Sequence, residues 1–186
     1  MGMLVTTRRF TVDEYHRMGA AGIFREDDRV ELLDGAIVEM SPIGPRHASC
    51  VDRINRLLSQ RAGDRAIVRV QNPAVLDQHG EPQPDVVLAR PRADWYAAAH
   101  PRPDDVLLLI EVSDTSTDYD RGRKVPAYAR SGIPEVWLVD VGARRIEVYR
   151  DPRRDGYVDV RIAQPGDRIT PQALPDVSLA VSDILG

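Results

Sequence analysis

Three charged residues stand where charge is either costly or rare. Glu111 interrupts an otherwise apolar run, Val106-Leu-Leu-Leu-Ile-Glu-Val112. A carboxylate among such neighbours loses hydration and needs a cation or a proton in return. Asp85 opens a second apolar run, Asp85-Val-Val-Leu-Ala89, directly after Glu81-Pro-Gln-Pro84. Lys124 is the one lysine among 25 basic residues. Codon bias accounts for the arginines, and an ordinary surface lysine would account for Lys124. A compact ammonium of tunable pKa nevertheless does what a broad guanidinium cannot, so a lone lysine in an arginine-rich chain points to a position that arginine does not fit.

If the two apolar runs are neighbouring strands, Asp85 and Glu111 converge at one edge of a sheet. Carboxylates a few ångströms apart repel unless a divalent ion lies between them. Hard oxygen ligands favour Mg2+, Mn2+ or Ca2+ over Zn2+. A helix following the second strand would carry Lys124 back over the strand end. There its ammonium can orient or polarise a water, or neutralise charge developing on a phosphate. Two acids, one metal and one lysine are the parts of a metal-assisted phosphodiester hydrolysis.

Apolar spacing and turn residues outline the elements that must position these groups. Thr11 and Glu14 form a capping box for a first helix ending near Gly19 or Gly22. Arg29 to Met40 reads as a hairpin turning at Asp34-Gly35, and Ser41 to Pro45 as a loop. Val51, Ile54, Leu57 and Leu58 have helical spacing within His47 to Ala62, with a stop at Gly63. Strands are expected at Ala66–Gln71, Asp85–Ala89, Val106–Val112 and Glu135–Val141. The third of these is apolar enough to be covered on both faces. A peripheral hairpin follows, Arg145–Arg150 with Tyr157–Ile162. Asp118 to Arg130 reads as a helix capped by Asp118, with a kink or a late start at Pro126, which lacks a backbone donor. Leu174 to Leu185 adds loop and a short element. The order describes a mixed α/β (α+β) domain with a central sheet and helices on both faces, not a regular doubly wound fold.

The remaining candidates are weaker. Glu31 is an acid of the hairpin that either joins the site or pairs across the solvent face. His47 suits a general base or a phosphate contact, and equally a helix-start packing residue. Ser113 follows Glu111 by two positions and suits a hydrogen bonder rather than a nucleophile, since no Ser-His-Asp arrangement supports it. Arg46, Arg53 and Arg56 on the second helix, and Arg121, Arg123 and Arg130 near Lys124, suit phosphate contacts or solvated helix faces. Gln71 reads as a polar strand end. Asp114, Asp118 and Asp120 lack the glycine and terminal glutamate of an EF-hand. Trp137 and Tyr149 read as core.

Composition bounds the class. The 186 residues suit one domain, with 42% hydrophobic and 29% charged residues. A net charge of −4 argues against a broad basic coat for nucleic acid, and 5% aromatics argue against a stacking platform for single strands. Cys50 alone excludes an internal disulfide and fits a reducing compartment, hence a cytoplasmic location. No apolar run reaches the roughly 18 residues of a membrane span, and Met1 to Phe10 lacks the apolar core of a signal peptide.

Pro84-Asp85, Glu111-Val-Ser113 and Lys124 together resemble the PD-(D/E)xK nuclease superfamily. More narrowly, the chain is similar to the Uma2 family of endonuclease-like proteins, also known as DUF820. The resemblance lies in Glu31-Leu-Leu-Asp-Gly35, Val38-Glu-Met-Ser-Pro42, Arg46-His47, Glu81-Pro-Gln-Pro-Asp85, Ile110-Glu-Val-Ser-Asp114, Asp120-Arg-Gly-Arg-Lys124 and Tyr128 to Asp140. It spans roughly residues 10 to 185 of a domain taken as 1–186.

The resemblance implies a restriction-endonuclease-like core, with Asp85 and Glu111 as metal ligands, Lys124 as the catalytic lysine and Glu31 as an added acid. The superfamily pattern places lysine where this chain has Ser113, so Lys124 would be a migrated replacement. The function expected is a Mg2+-dependent endonuclease acting on DNA, with Mn2+ able to substitute, and a homodimer is a compatible assembly. The alternative is a catalytically silent nucleic-acid- or protein-binding module of the same fold.

Overall fold

The computed structural model describes residues 6–186. The start of the chain, read above as lacking a signal peptide's apolar core and included in the expected domain, falls in part outside those residues. Helix α1 spans Val12–Ala20, and the expected capping box forms: the Thr11 side chain accepts from the Glu14 N–H while Glu14 accepts from the Thr11 N–H. Strands β1 (Val30–Leu33) and β2 (Ala36–Glu39) make the expected hairpin. Its turn residues Asp34 and Gly35 both have positive φ, 52° and 77°, as a tight type I′ turn requires. Gly35 is also forced by packing, because a Cβ there would lie 2.6 Å from the Arg9 Cβ.

Helix α2 runs Pro45–Ala62, slightly earlier than its apolar spacing suggested, because Pro45 suits a first helical turn. Six strands then build one sheet in the order β3-β4-β5-β6-β7-β8: β3 (Ile67–Val70), β4 (Val86–Ala89), β5 (Val106–Ser113), β6 (Glu135–Asp140), β7 (Arg145–Arg153) and β8 (Gly156–Ala163). The β5–β6 pair is parallel and the others are antiparallel. A small β9–β10 pair (Arg168–Ile169, Leu179–Ala180) and helix α5 (Val181–Leu185) close the chain.

Alternation along β5 divides the core. Leu108, Ile110 and Val112 pack with Ile54 and Leu58 of α2 and Ile184 of α5 on one face. Leu109 packs with Leu33 of the hairpin and with Val125 and Tyr128 on the other. All eight residues of β5 are buried, Glu111 among them, as its predominantly apolar run predicted. Trp137 and Tyr149 are core residues, at 0% and 7% exposed. Among the described residues no helix is long and apolar enough to cross a membrane.

The segment after β5 departs from expectation. Instead of one helix capped by Asp118, a turn α3 (Thr117–Tyr119) passes into a π-helical stretch, Asp120–Lys124, and then into α4 (Val125–Arg130). Ser116 occupies the cap position, and Asp118 is an exposed residue paired with Arg121 at 3.3 Å. The wider turn accommodates Pro126. The Val125 N–H reaches back five residues to the Asp120 carbonyl, and Pro126, with no donor, begins the new helix where none is needed. Such π turns recur at functional sites.

Candidate active site

Strand pairing decides where the first acid sits. Val86 lies opposite Ile110 and Val87 opposite Leu109, so Asp85, one residue before β4, stands beside Glu111. β4 has ended at this point, and the Val112 N–H would be orphaned on that side. The Asp85 Oδ2 accepts it at 2.8 Å, which answers the demand of a buried backbone donor. The same oxygen lies 3.0 Å from His47 Nε2 at the start of α2. Gln71, read above as a plain strand end, instead turns at φ 51°. It donates its backbone N–H to the Asp85 carbonyl at 3.0 Å and its side-chain Nε2 to Oδ1 at 3.4 Å. Asp85 is therefore held from three directions. The contact with Asp85 raises the pKa of His47 against the opposing effect of burial.

Glu111 is 3% exposed. Its Oε1 accepts from the Tyr128 hydroxyl and from Lys124 Nζ, the latter at 3.4 Å. No hydrogen bond reaches Oε2 among the described residues. Glu135 offers a contrast in the same sheet. It is fully buried, and Trp137, Arg150 and the Gln172 N–H satisfy both of its oxygens. Glu135 is thus a closed structural ion pair, and Glu111 is an open one. Burial pushes the Glu111 pKa up to about 8; Lys124 opposes this, while Asp85, Asp120 and Glu31 add to it.

Lys124 is 6% exposed, not a surface lysine. The π turn directs it between Glu111 and Glu31, with Nζ 3.1 Å from Glu31 Oε1. Burial alone would lower its pKa, but Glu111, Glu31 and Asp120 outweigh that and hold the group as an ammonium. Glu31 is 1% exposed, which excludes a solvent-face pair across the hairpin. The hairpin is bridged to the Glu81 segment through Leu32, and Glu31 Oε2 accepts the Gln83 N–H at 3.0 Å. Glu31 Oε1 is buried yet lacks a well-directed hydrogen bond. The nearby ammonium is close enough for an ion pair but lies off the hydrogen-bond direction.

Two residues of the site escaped the sequence analysis. Asp120 is 5% exposed and accepts from Ser116 Oγ at 2.7 Å. Tyr128 is fully buried against Glu111. Both lie four residues from Lys124, so a helical stripe of 120, 124 and 128 was the available signal. Ser113 is buried and supports this turn, 3.2 Å from Ser116 Oγ and accepting from Thr117 Oγ1 at 3.0 Å.

Glu31, His47, Gln71, Asp85, Glu111, Asp120 and Lys124 line a cleft of about 440 Å3. Arg29 stands at its margin. Arg46, Arg121 and Arg123 do not line it. Arg46 pairs with Asp114 at 3.3 Å, and Arg121 is bound to Glu147 of β7 at 2.8 Å and 3.1 Å, which leaves it little freedom to contact a phosphate. Arg123 is exposed.

Among the described residues, no three His, Cys, Asp or Glu side chains are gathered tightly enough to enclose an ion. Mg2+ does not need such a cage, because it keeps several waters and takes one or two carboxylates. The donor set fits that habit. Asp85 and Glu111 offer only oxygen donors on adjacent strands, Glu111 Oε2 is unbonded, and Glu31 Oε1 is a buried acceptor without a directed donor.

The family model named Uma2, described as "Putative restriction endonuclease", matches residues 12–182. No curated protein matches the chain. A crystal structure described as "a putative nuclease belonging to DUF820", from Anabaena variabilis, superimposes with a TM-score of 0.76 at 15% identity, covering 95% of this chain and 97% of that one. At that identity the likeness speaks for the fold, a mixed sheet flanked by helices.

Proposed function

The chain belongs to the Uma2 family, and from that premise we propose that it is a Mg2+-dependent endonuclease that hydrolyses phosphodiester bonds in DNA. The observation that carries this reading is the placement of Asp85 beside Glu111 in one cleft that Lys124 also lines, 3.4 Å from Glu111. A divalent ion held there would supply Lewis acidity and a water of lowered pKa.

The chain's own residues divide the remaining work. Asp85 and Glu111 would hold the ion. The Val112 N–H and Gln71 fix the Asp85 carboxylate in orientation, and Tyr128 fixes that of Glu111. Lys124, kept protonated by three acids, donates rather than abstracts; its ammonium stabilises charge that grows on the phosphate oxygens during displacement. His47 Nε2, 3.0 Å from Asp85 Oδ2, steadies that carboxylate. Glu31 keeps Lys124 in place, and the charge of Asp120 favours its ammonium form.

Cleavage of supercoiled plasmid in Mg2+ or Mn2+ tests the proposal. The wild-type chain should nick or linearise DNA, and Asp85→Ala, Glu111→Ala and Lys124→Ala should each lose at least about a hundredfold in rate. Undiminished cleavage by all three variants would overturn the assignment.

A further inference from the structure

The two edges of the six-stranded sheet are unlike. β3 has four residues, ends where Gln71 turns at φ 51°, and carries Arg69, whose guanidinium lies 5.4 Å from the Tyr96 ring centre. A short edge bearing a cation is a protected edge. β8 is eight residues long and keeps an unbroken register with β7. Three of the six exposed large hydrophobic side chains among the described residues fall at alternate positions of this one strand: Val158 at 66%, Val160 at 49% and Ile162 at 57% exposed. Asp159 and Arg161 occupy the other face, 3.1 Å apart, and are also accessible. A long edge strand with an uncovered apolar stripe invites another strand to pair with it.

We propose that β8 is the association edge of a homodimer, with the β8 strands of two copies antiparallel about a twofold axis through Val160. The occupant follows from charge and register. A twofold pairing centred on Val160 sets Val160 against the partner's Val160 and Val158 against the partner's Ile162, all on one face. On the other face it sets Asp159 against the partner's Arg161, twice over by symmetry.

Neighbouring registers fail. Centring on Asp159 opposes two aspartates, and centring on Arg161 opposes two arginines. Any shift by one residue puts apolar side chains opposite charged ones. The strand is therefore self-complementary in one register. Two short edges bury less than the roughly 1,600 Å2 of a standard interface, so the dimer is reversible, with a dissociation constant on the order of micromolar. It does not depend on the nuclease reading.

Sedimentation equilibrium of the full chain across about 1 to 200 μM, bracketing that constant, tests the proposal. The wild type should move from monomer to twice the monomer mass. Val160→Lys should weaken association at least about tenfold. Asp159→Arg and Arg161→Asp should each do the same by opposing like charges, and the double variant Asp159→Arg/Arg161→Asp should recover association to within about threefold. Far-UV circular dichroism and urea midpoints establish that these surface variants remain folded. A wild type that stays monomeric throughout overturns the proposal. So does a dimer indifferent to Val160→Lys and to both single charge reversals, or a double variant that stays folded without recovering association.

Discussion

Lys124 Nζ lies 3.1 Å from Glu31 Oε1, joining the π turn after β5 to a hairpin formed more than ninety residues earlier in the chain. Each buried charge justifies the other: without Lys124, Glu31 and Glu111 would be two uncompensated acids beside Asp85 and Asp120. Lys124→Met keeps the stem and removes the charge. It should destabilise the metal-free protein by about 3–5 kcal/mol at pH 8, the cost of breaking a buried pair, and urea denaturation measures it. An effect under about 0.5 kcal/mol, typical of an exposed residue, would mean that the lysine is not buried among the acids.

Lys124→Arg keeps the charge but not the shape. A planar guanidinium does not fit the space a buried ammonium occupies between two carboxylates. The variant should bind Mn2+ within a few-fold of wild type and lose at least about a hundredfold in DNA cleavage rate, by loss of oriented charge stabilisation. Full activity would show that charge alone suffices there.

Glu111 carries the pH dependence. Its pKa in the folded chain is about 8, raised chiefly by burial, against about 4.3 when unfolded. Its contribution to stability is therefore fully present below about pH 4.3 and is lost as the pH rises through about 8. Urea midpoints of the metal-free protein should fall between pH 6 and 9, and Glu111→Gln should flatten that fall. Mg2+ must displace the Glu111 proton, so its apparent affinity should rise about tenfold per pH unit up to about pH 8.

His47 reports on Asp85. Contact with that carboxylate raises the imidazole pKa, so Asp85→Asn should lower it toward the ordinary histidine value of about 6.5. NMR titration of the His47 ring protons reads this without any activity. An unchanged titration would mean that the Asp85–His47 contact is not made in solution.

Much of this site is legible in the amino-acid order because isolated charges in apolar runs are conspicuous. Glu111 and Asp85 stand out against β5 and β4, and Lys124 against its arginines. The hairpin and capping box are equally local signals, and both form. What escaped depends on distant parts of the chain. Glu31 is buried because the hairpin docks through Leu32 onto the Glu81 segment. Gln71 reaches Asp85 because a positive-φ turn ends β3. Arg121 is taken from the cleft margin by Glu147, which arrives with β7. The π turn came from a proline whose conflict with a regular helix was visible, although its resolution was not. Asp120 and Tyr128 were within reach, at helical spacing from Lys124.

The central claim, that Asp85 and Glu111 share one divalent ion, is tested most directly by a crystal structure of the protein soaked in Mn2+, using the anomalous signal of the metal. The account predicts a single strong peak in the cleft, with oxygens of both Asp85 and Glu111 within about 2.0–2.6 Å, the range of hard divalent cations. A saturating soak with no peak between these carboxylates, or with Mn2+ bound only at other residues, would contradict it.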